Sequence, residues 1–206
     1  MINFVAIDFE TANAYRTSAC SIGLTVFEGG KAVESVHRLI KPTPAFFAAM
    51  NCRIHGIYPD DVAEEPTFEE LWHFLQPYLE DKALVAHNAS FDHSVLRHTL
   101  QHYEIAPPAY DYFCSLRLAR KAFPHLPKHG LGSLAGHFGI ELNHHNAESD
   151  ARACGEIILR ILAEHQLTSL DDMLEQFGFQ WGRSSSVGMQ SFGKKKNKKK
   201  YTLRNT

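Results

Sequence analysis

Residues 4–11 read FVAIDFET, an apolar run closed by two carboxylates, Asp8 and Glu10. In an extended strand, residues two apart share a face, so both acidic side chains leave the end of a first strand together. Like charges that close repel each other, and a divalent cation with hard oxygen ligands relieves them. Taken alone, an Asp-x-Glu pair is commonly no more than a solvated strand end. Two further stretches alter that reading.

The first of these is ALVAHN at 83–88, a second strand-like run with His87 and Asn88 at its end. It leads into SFDHSVLRHTLQHY, which reads as a helix with Ser90 as N-cap and Asp92 in the first turn, where the helix dipole favours a carboxylate. The second is HHNAESDA, which places His145 in a loop and Asp150 at the start of a helix over 148–165. Ala153, Ile157, Leu159, Ile161 and Leu162 give that helix a buried side. An acidic first turn suits any helix, but helix formation does not account for a histidine five residues ahead of the carboxylate.

The ordered set D-x-E, H-N-A-x-F-D and H-x-A-x-x-D resembles the three motifs of the DEDDh, or DnaQ-like, 3′–5′ exonucleases. That group includes the epsilon proofreading subunit of bacterial DNA polymerase III, ribonuclease T and oligoribonuclease. The similarity runs over about residues 3–165, through AIDFETAN, SACSIGL, NCRIHGI, VAHNASFD, CSLRLARK and HHNAESDARAC. It implies that Asp8, Glu10, Asp92 and Asp150 hold two ions, Mg²⁺ or Mn²⁺, in keeping with an all-oxygen ligand set. His145 would be the base that takes a proton from the attacking water, a role suited to a side chain titrating near neutrality. A tyrosine fills that role in a sister group, and the loop ELNHHN has none. His144 lacks the required spacing and reads as a neighbour.

The same resemblance implies a pocket for the 3′-terminal nucleotide lined by Phe9, Thr11, His55 and Ile57, with His87 and Asn88 at the adjoining strand end. Core packing is the competing reading for Phe9 and Ile57. A further departure is His129, where related proteins often carry a tyrosine. The implied activity is 3′–5′ removal of nucleoside 5′-monophosphates from single-stranded or frayed ends, with DNA favoured. RNA or short oligoribonucleotides are the alternative substrate, because discrimination rests on contacts to the 2′-hydroxyl. A non-catalytic nucleic-acid-binding module accessory to a polymerase is the alternative from a different class.

Periodicity gives strands over 2–9, 19–28 and 31–40, the last two joined as a hairpin at Gly29-Gly30. A helix over 67–79 is capped by Thr67 with Glu70, and a strand at 83–87 and a helix at 90–103 follow. Then come a strand at 110–114, helices at 115–122 and 131–138, the helix at 148–165, and a short last helix, SLDDMLEQF. A meander followed by alternation predicts an α/β fold, a mixed sheet with antiparallel and parallel strands flanked by helices, which is the ribonuclease-H-like fold the resemblance implies. Ligands of such sheets bind beyond the carboxyl ends of the parallel strands.

The boundaries read as an exonuclease domain at 1–168, a short C-terminal helix at 169–182 and a disordered Lys-rich tail at 183–206. Eight of the 21 basic residues and none of the 23 acidic ones lie from Arg183 onward, so the first 182 residues carry a net −10. Such a tail would neutralise phosphates without reading sequence. Residues 189–192, MQSF, match part of a sliding-clamp-binding peptide, which adds a DNA polymerase or its clamp to the partners to be weighed. No apolar run approaches the ~20 residues of a membrane span, and no signal peptide is expected. The four cysteines form no C-x-x-C pair, and the 13 histidines show no zinc spacing. The expected location is a reducing cytoplasm.

Overall fold

In the computed structural model, residues 2–194 are described. The order is β1 (Phe4–Thr11), β2 (Ala19–Glu28), β3 (Lys31–Leu39), α1 (Ala49–His55), a 3-10 turn (Pro59–Val62), α2 (Phe68–Leu79) and β4 (Ala83–Ala86). Then follow α3 (Ser90–His102), β5 (Tyr110–Cys114), α4 (Ser115–Ala122), α5 (Leu131–Phe138), α6 (Ala147–Glu164) and α7 (Leu170–Gln176). Four short strands complete the described chain: β6 (Phe179–Gln180), β7 (Gly182–Ser185), β8 (Gly188–Gln190) and β9 (Gly193–Lys194).

Seven strands form one sheet in the order β3-β2-β1-β4-β5-β7-β8. The β1, β2 and β3 pairings are antiparallel, while β1, β4 and β5 run parallel. The mixed ribonuclease-H-like sheet is therefore the observed one. β1 lies inside it, between β2 and β4, with Phe4, Val5, Ala6 and Ile7 all buried, so it carries an unbroken apolar run rather than an alternating one. The carboxyl ends of β1 and β4 lie together, which brings Glu10 and the turn after Ala86 to one edge.

Helix α6 covers β1 and β2 on one face. Ala153, Ile157, Ile161 and Leu162 are buried as periodicity requires, whereas Leu159 is only partly covered. Two glycines permit this approach. A Cβ at Gly23 would overlap the backbone of Ala147 and Glu148, and one at Gly155 would overlap the ring of Phe27. Gly23 is also the register partner of Asp8. The absent methyl at Gly23 thus lets the first turn of α6 settle directly beside the first acidic residue.

Two expectations need correction. Ser90 is the first residue of α3, not its cap; the cap position is Ala89, which makes no side-chain capping bond. The chain from Arg183 to Lys194 is not a disordered tail, because β7 pairs with β5 and β8 pairs with β7, extending the main sheet. Low apolar content hid this, since strand pairing here rests on backbone hydrogen bonds and a few anchors. Arg183 Nε lies 3.1 Å from Asp111 Oδ1, and Phe192 is buried against Phe179 with ring centroids 5.0 Å apart. The remaining lysines of the run, from 195 on, lie outside the described residues. Helix α1 and the 3-10 turn after it went unpredicted, because Pro42, Pro44 and Pro59 bracket a short segment with no helical periodicity.

Candidate active site

The acidic residues meet at the carboxyl edge of the central strands. Carboxylate oxygens of Asp8, Glu10 and Asp150 all lie within 4.8 Å of one another. Asp8 and Glu10 come from the same face of β1, as their spacing predicts. Asp150 comes from the first turn of α6, which Asn146 caps by accepting the Ser149 N–H at 3.0 Å. Asp92, in the first turn of α3, is 1% exposed and accepts the Phe9 N–H through Oδ1 at 3.0 Å. It stands outside the close triplet but within electrostatic reach of Asp8 and Glu10.

These carboxylates crowd one another. Burial, then Asp92, Asp150 and Glu10, hold the Asp8 carboxyl well above its ordinary range. Burial, followed by Asp150 and Asp92, pushes Glu10 up to about 8. Asp92 is pushed up to about 7, chiefly by burial, against the opposing pull of the Phe9 N–H. Burial likewise raises Asp150. Among the described residues Asp150 Oδ1 is buried with no hydrogen-bond partner, an orphaned acceptor facing a cluster of acceptors. An oxygen-only donor set of this charge fits hard divalent ions.

His145 completes the edge. It adopts a left-handed conformation, φ 69°, from which its N–H donates to Asp150 Oδ2 at 3.1 Å. A non-glycine residue holds such a backbone only where the surroundings fix it. Its Nδ1 lies 3.9 Å from Glu10 Oε1, and the side chain keeps 39% of its surface open. Burial, then the neighbouring His144, lowers its pKa, so the imidazole is neutral at physiological pH. The His144 ring lies 3.9 Å from the His145 ring and is exposed.

The substrate candidates divide. His55, Ile57 and His145 line a cavity of about 150 Å³ with Ser21, Asn143 and Asn146. Both ring nitrogens of His55 are engaged, Nδ1 accepting the Ile57 N–H at 3.0 Å and Nε2 lying 3.3 Å from the Thr11 carbonyl. Thr11 is buried, and its carbonyl also accepts from Asn51 at 2.7 Å, which pins α1 to the end of β1. The Phe9 ring is buried at 6.5 Å from the Phe68 ring. His87 lies 2.9 Å from Ser115 Oγ and 3.0 Å from the His129 carbonyl, leaving neither nitrogen free. Asn88, at φ 73°, turns the chain from β4 into α3 and is exposed. His129 is fixed in turn by its Nε2, 2.9 Å from the Phe123 carbonyl.

Sequence reading missed an exposed apolar surface beside this edge. Met50 and Ile54 on α1, with Tyr58, Tyr15 and Phe46, are all large and open, and the Tyr15 and Phe46 rings meet edge-on at 6.1 Å. Arg16 was missed too: it lies over the Phe91 ring at 4.4 Å, close enough to Asp92 to oppose the rise in its pKa. Only the run AFFAAM at 45–50 hinted at the first feature. A roomier cavity, about 720 Å³, is elsewhere: it opens at the amino ends of β4 and β5, around Lys82, Asp111 and Trp181, away from the acids.

Asp8, Glu10 and Asp150 thus gather at the carboxyl edge of a mixed, helix-flanked sheet in an arrangement that could hold a metal ion, with Asp92 and His145 beside them. A family model described as "Exonuclease", RNase_T, matches residues 5–158, and the chain belongs to that family of DnaQ-like nucleases. It is 27% identical over 174 residues to the DNA polymerase III PolC-type of Streptococcus pneumoniae, and 30% identical over 176 residues to that of Thermotoga maritima. These matches take in 81% and 82% of the chain but only 12% and 13% of the relatives' length. The fold is shared with Exonuclease X in complex with 5′ overhanging duplex DNA, at TM-score 0.68 and 23% identity, over 84% of this chain and 99% of that one. It is also shared with the nuclease domain of 3′hExo bound to rAMP, at TM-score 0.65 and 16% identity, over 79% and 92%. Among the described residues no helix is long and apolar enough to cross a membrane.

Proposed function

We propose that the protein is a divalent-metal-dependent 3′–5′ exonuclease that releases nucleoside 5′-monophosphates from single-stranded or frayed ends, with DNA as the favoured substrate. The observation that carries this reading is the convergence of Asp8, Glu10 and Asp150 within 4.8 Å, with Asp150 Oδ1 left unpartnered. We assign Asp8, Glu10, Asp92 and Asp150 to holding two ions, Mg²⁺ or Mn²⁺. When bound, such ions supply charge neutralisation at the phosphoryl oxygens and favour the attacking and leaving oxygens of an in-line displacement.

The protein's own groups do the rest. His145 is neutral, partly open to solvent and tethered through its N–H to Asp150, so its ring can take the proton of the attacking water beside Glu10. The bond from Phe9 holds one carboxylate oxygen of Asp92 in place, within electrostatic reach of Asp8. His55 and Ile57, in the small cavity beside His145, border the terminal nucleotide. Tyr15, Phe46, Met50, Ile54 and Tyr58 offer faces on which successive bases stack without sequence preference. His87 braces the end of β4 through Ser115 and His129.

The PolC-type relatives support DNA and a polymerase setting, both as readings for this chain. Docking on a clamp through MQSF lacks support, because the Phe192 side chain that would anchor it is buried in the core. The four free, buried thiols suit a reducing cytoplasm. The test is digestion of 5′-labelled single-stranded DNA and RNA with Mg²⁺ or Mn²⁺, beside an Asp8→Ala control. A ladder shortening from the 3′ end, absent in the control, is expected. Faster loss of RNA would reassign the substrate, and intact strands with both metals would favour a binding module without catalysis.

A further inference from the structure

We propose that a groove of about 430 Å³ between α3, α4 and the C-terminal segment is a second nucleic-acid site, which holds the sugar-phosphate backbone beyond the nucleotide being removed. The proposal rests on the exonuclease reading but is carried by different residues. Ser90, His93, Ser94 and Arg97 line the groove from one face of α3, at the i, i+3, i+4, i+7 spacing. Leu116, Arg117 and Arg120 line it from α4, and Met189, Ser191 and Phe192 close it.

Charge decides what the groove takes. Three arginines line it and no aspartate or glutamate does, although the first 182 residues carry a net −10. None of the three lies in an ion pair among the described residues, where the pairs are His145–Glu10, Arg152–Glu156 and Arg183–Asp111. Arginines drawn together without counter-ions repel one another, and a multivalent anion removes that cost. Arg117 spends one donor on the Phe192 carbonyl, at 2.8 Å, and lies over the rings of Phe179 and Phe192 at 5.1 and 5.0 Å. It therefore holds the C-terminal wall while keeping donors to spare. Arg97 and Arg120 are exposed. His93, buried on the groove's floor, has an Nε2 with no partner among the described residues.

Position decides the source of the anion. The groove begins at Asn88 and Ala89, the turn that leads into the helical turn bearing Asp92. Asp92 leaves α3 toward Phe9 of β1, while Ser90 and His93 leave it toward the groove, so only the width of one helix, about 10 Å, separates the two sites. A strand with its 3′ end among the acids reaches the arginines within a few nucleotides. The phosphate–arginine contact is independent of base identity, as a progressive nuclease requires.

The test compares the parent with Arg97→Ala/Arg120→Ala, two exposed positions whose loss leaves the core intact. Binding of a 5′-labelled oligonucleotide long enough to span both sites is read by fluorescence anisotropy, in an Asp8→Ala background to prevent digestion. Hydrolysis of a dinucleotide, too short to reach the groove, is read in the active background. Affinity for the long strand should fall about tenfold or more, and its salt slope should shrink by about 0.7 for each phosphate no longer neutralised. Dinucleotide turnover should stay at the parental rate. Unchanged affinity and slope, or equal losses on both substrates, would overturn the proposal. So would a free mononucleotide that displaces the long strand from the parent but not from the double variant. If the parent binds the long strand through these arginines yet hydrolyses neither substrate, the exonuclease reading fails while the groove stands.

Discussion

The Phe9 N–H donates to Asp92 Oδ1 at 3.0 Å, joining the first strand to the third helix across 83 residues of sequence. A buried carboxylate needs such a donor, and this one comes from between Asp8 and Glu10. The Asp92 side chain is thus anchored on the main chain of the first motif, which ties the two motifs together.

Removing a ligand should separate chemistry from folding. Asp8→Ala or Asp150→Ala should lower turnover by about 10³-fold or more, while raising the Tm of the metal-free protein, because a repelling charge is gone. Differential scanning fluorimetry with and without chelator, beside the digestion assay, checks both. A variant that keeps parental turnover would sink the site.

His145→Ala should cost about 10²–10⁴-fold in rate, the usual worth of a positioned base. Its metal-dependent rise in Tm should persist, since the carboxylates remain. An unchanged rate would move the base to another group, His144 being the nearest.

The acids also dictate how metal-free stability depends on pH. Folded Glu10 and Asp92 titrate near 8 and 7, above the ordinary carboxylate values near 4, so the folded protein holds protons that the unfolded chain releases. Stability without metal therefore falls as pH rises from about 4 to 8. Buried His93 works in the opposite sense, since its folded value near 3 makes stability rise with pH up to about 6.5, where the unfolded histidine stops binding protons. Between about pH 6.5 and 8 the acids act alone, and Tm in chelator should decline there. Added Mg²⁺ or Mn²⁺ should flatten the decline. A metal-free Tm that climbs across that interval would contradict the account.

Gly23→Ala should cripple activity without touching a catalytic group. The new Cβ would overlap the Ala147 backbone, forcing the first turn of α6, and Asp150 with it, away from Asp8. Overpacking of this kind costs about 1–3 kcal/mol, and the rate should fall more steeply than the Tm. Full activity in a folded variant would show that α6 can shift without harm.

Truncation at two points separates charge from architecture. Ending the chain at 194 removes six of the eight basic residues found from Arg183 onward, and the salt slope of strand binding should shrink. Ending it at 182 also removes β7, β8 and Phe192, and Tm should drop as well. Equal Tm values for the two truncations would mean that the hairpin adds nothing to stability.

The motifs were legible because their chemistry leaves marks in spacing: two residues apart for Asp8 and Glu10 on one strand face, five for His145 and Asp150 around a helix start. The strands and long helices were legible through apolar runs and periodicity. Gly23 and Gly155 were silent, since a glycine that makes room looks like any other until its neighbour is known. The arginine groove was silent for a related reason. Nothing in the spacing of Arg97, Arg117 and Arg120 marks them out, and their shared groove is completed by the last strands. Those strands were hidden by polar composition, and their pairing partner, β5, lies about 70 residues upstream.

The added hairpin has one more consequence. Without it, β5 would end the sheet, offering the open backbone of a five-residue strand with a buried-type sequence, Tyr110–Cys114. With it, the outermost strand on that side, among the described residues, is β8, only three residues long and wholly exposed. A short edge is a poor template for another chain. Loss of the hairpin should therefore show first as clumping in concentrated solution, a colloidal failure that would arrive before any chemical one.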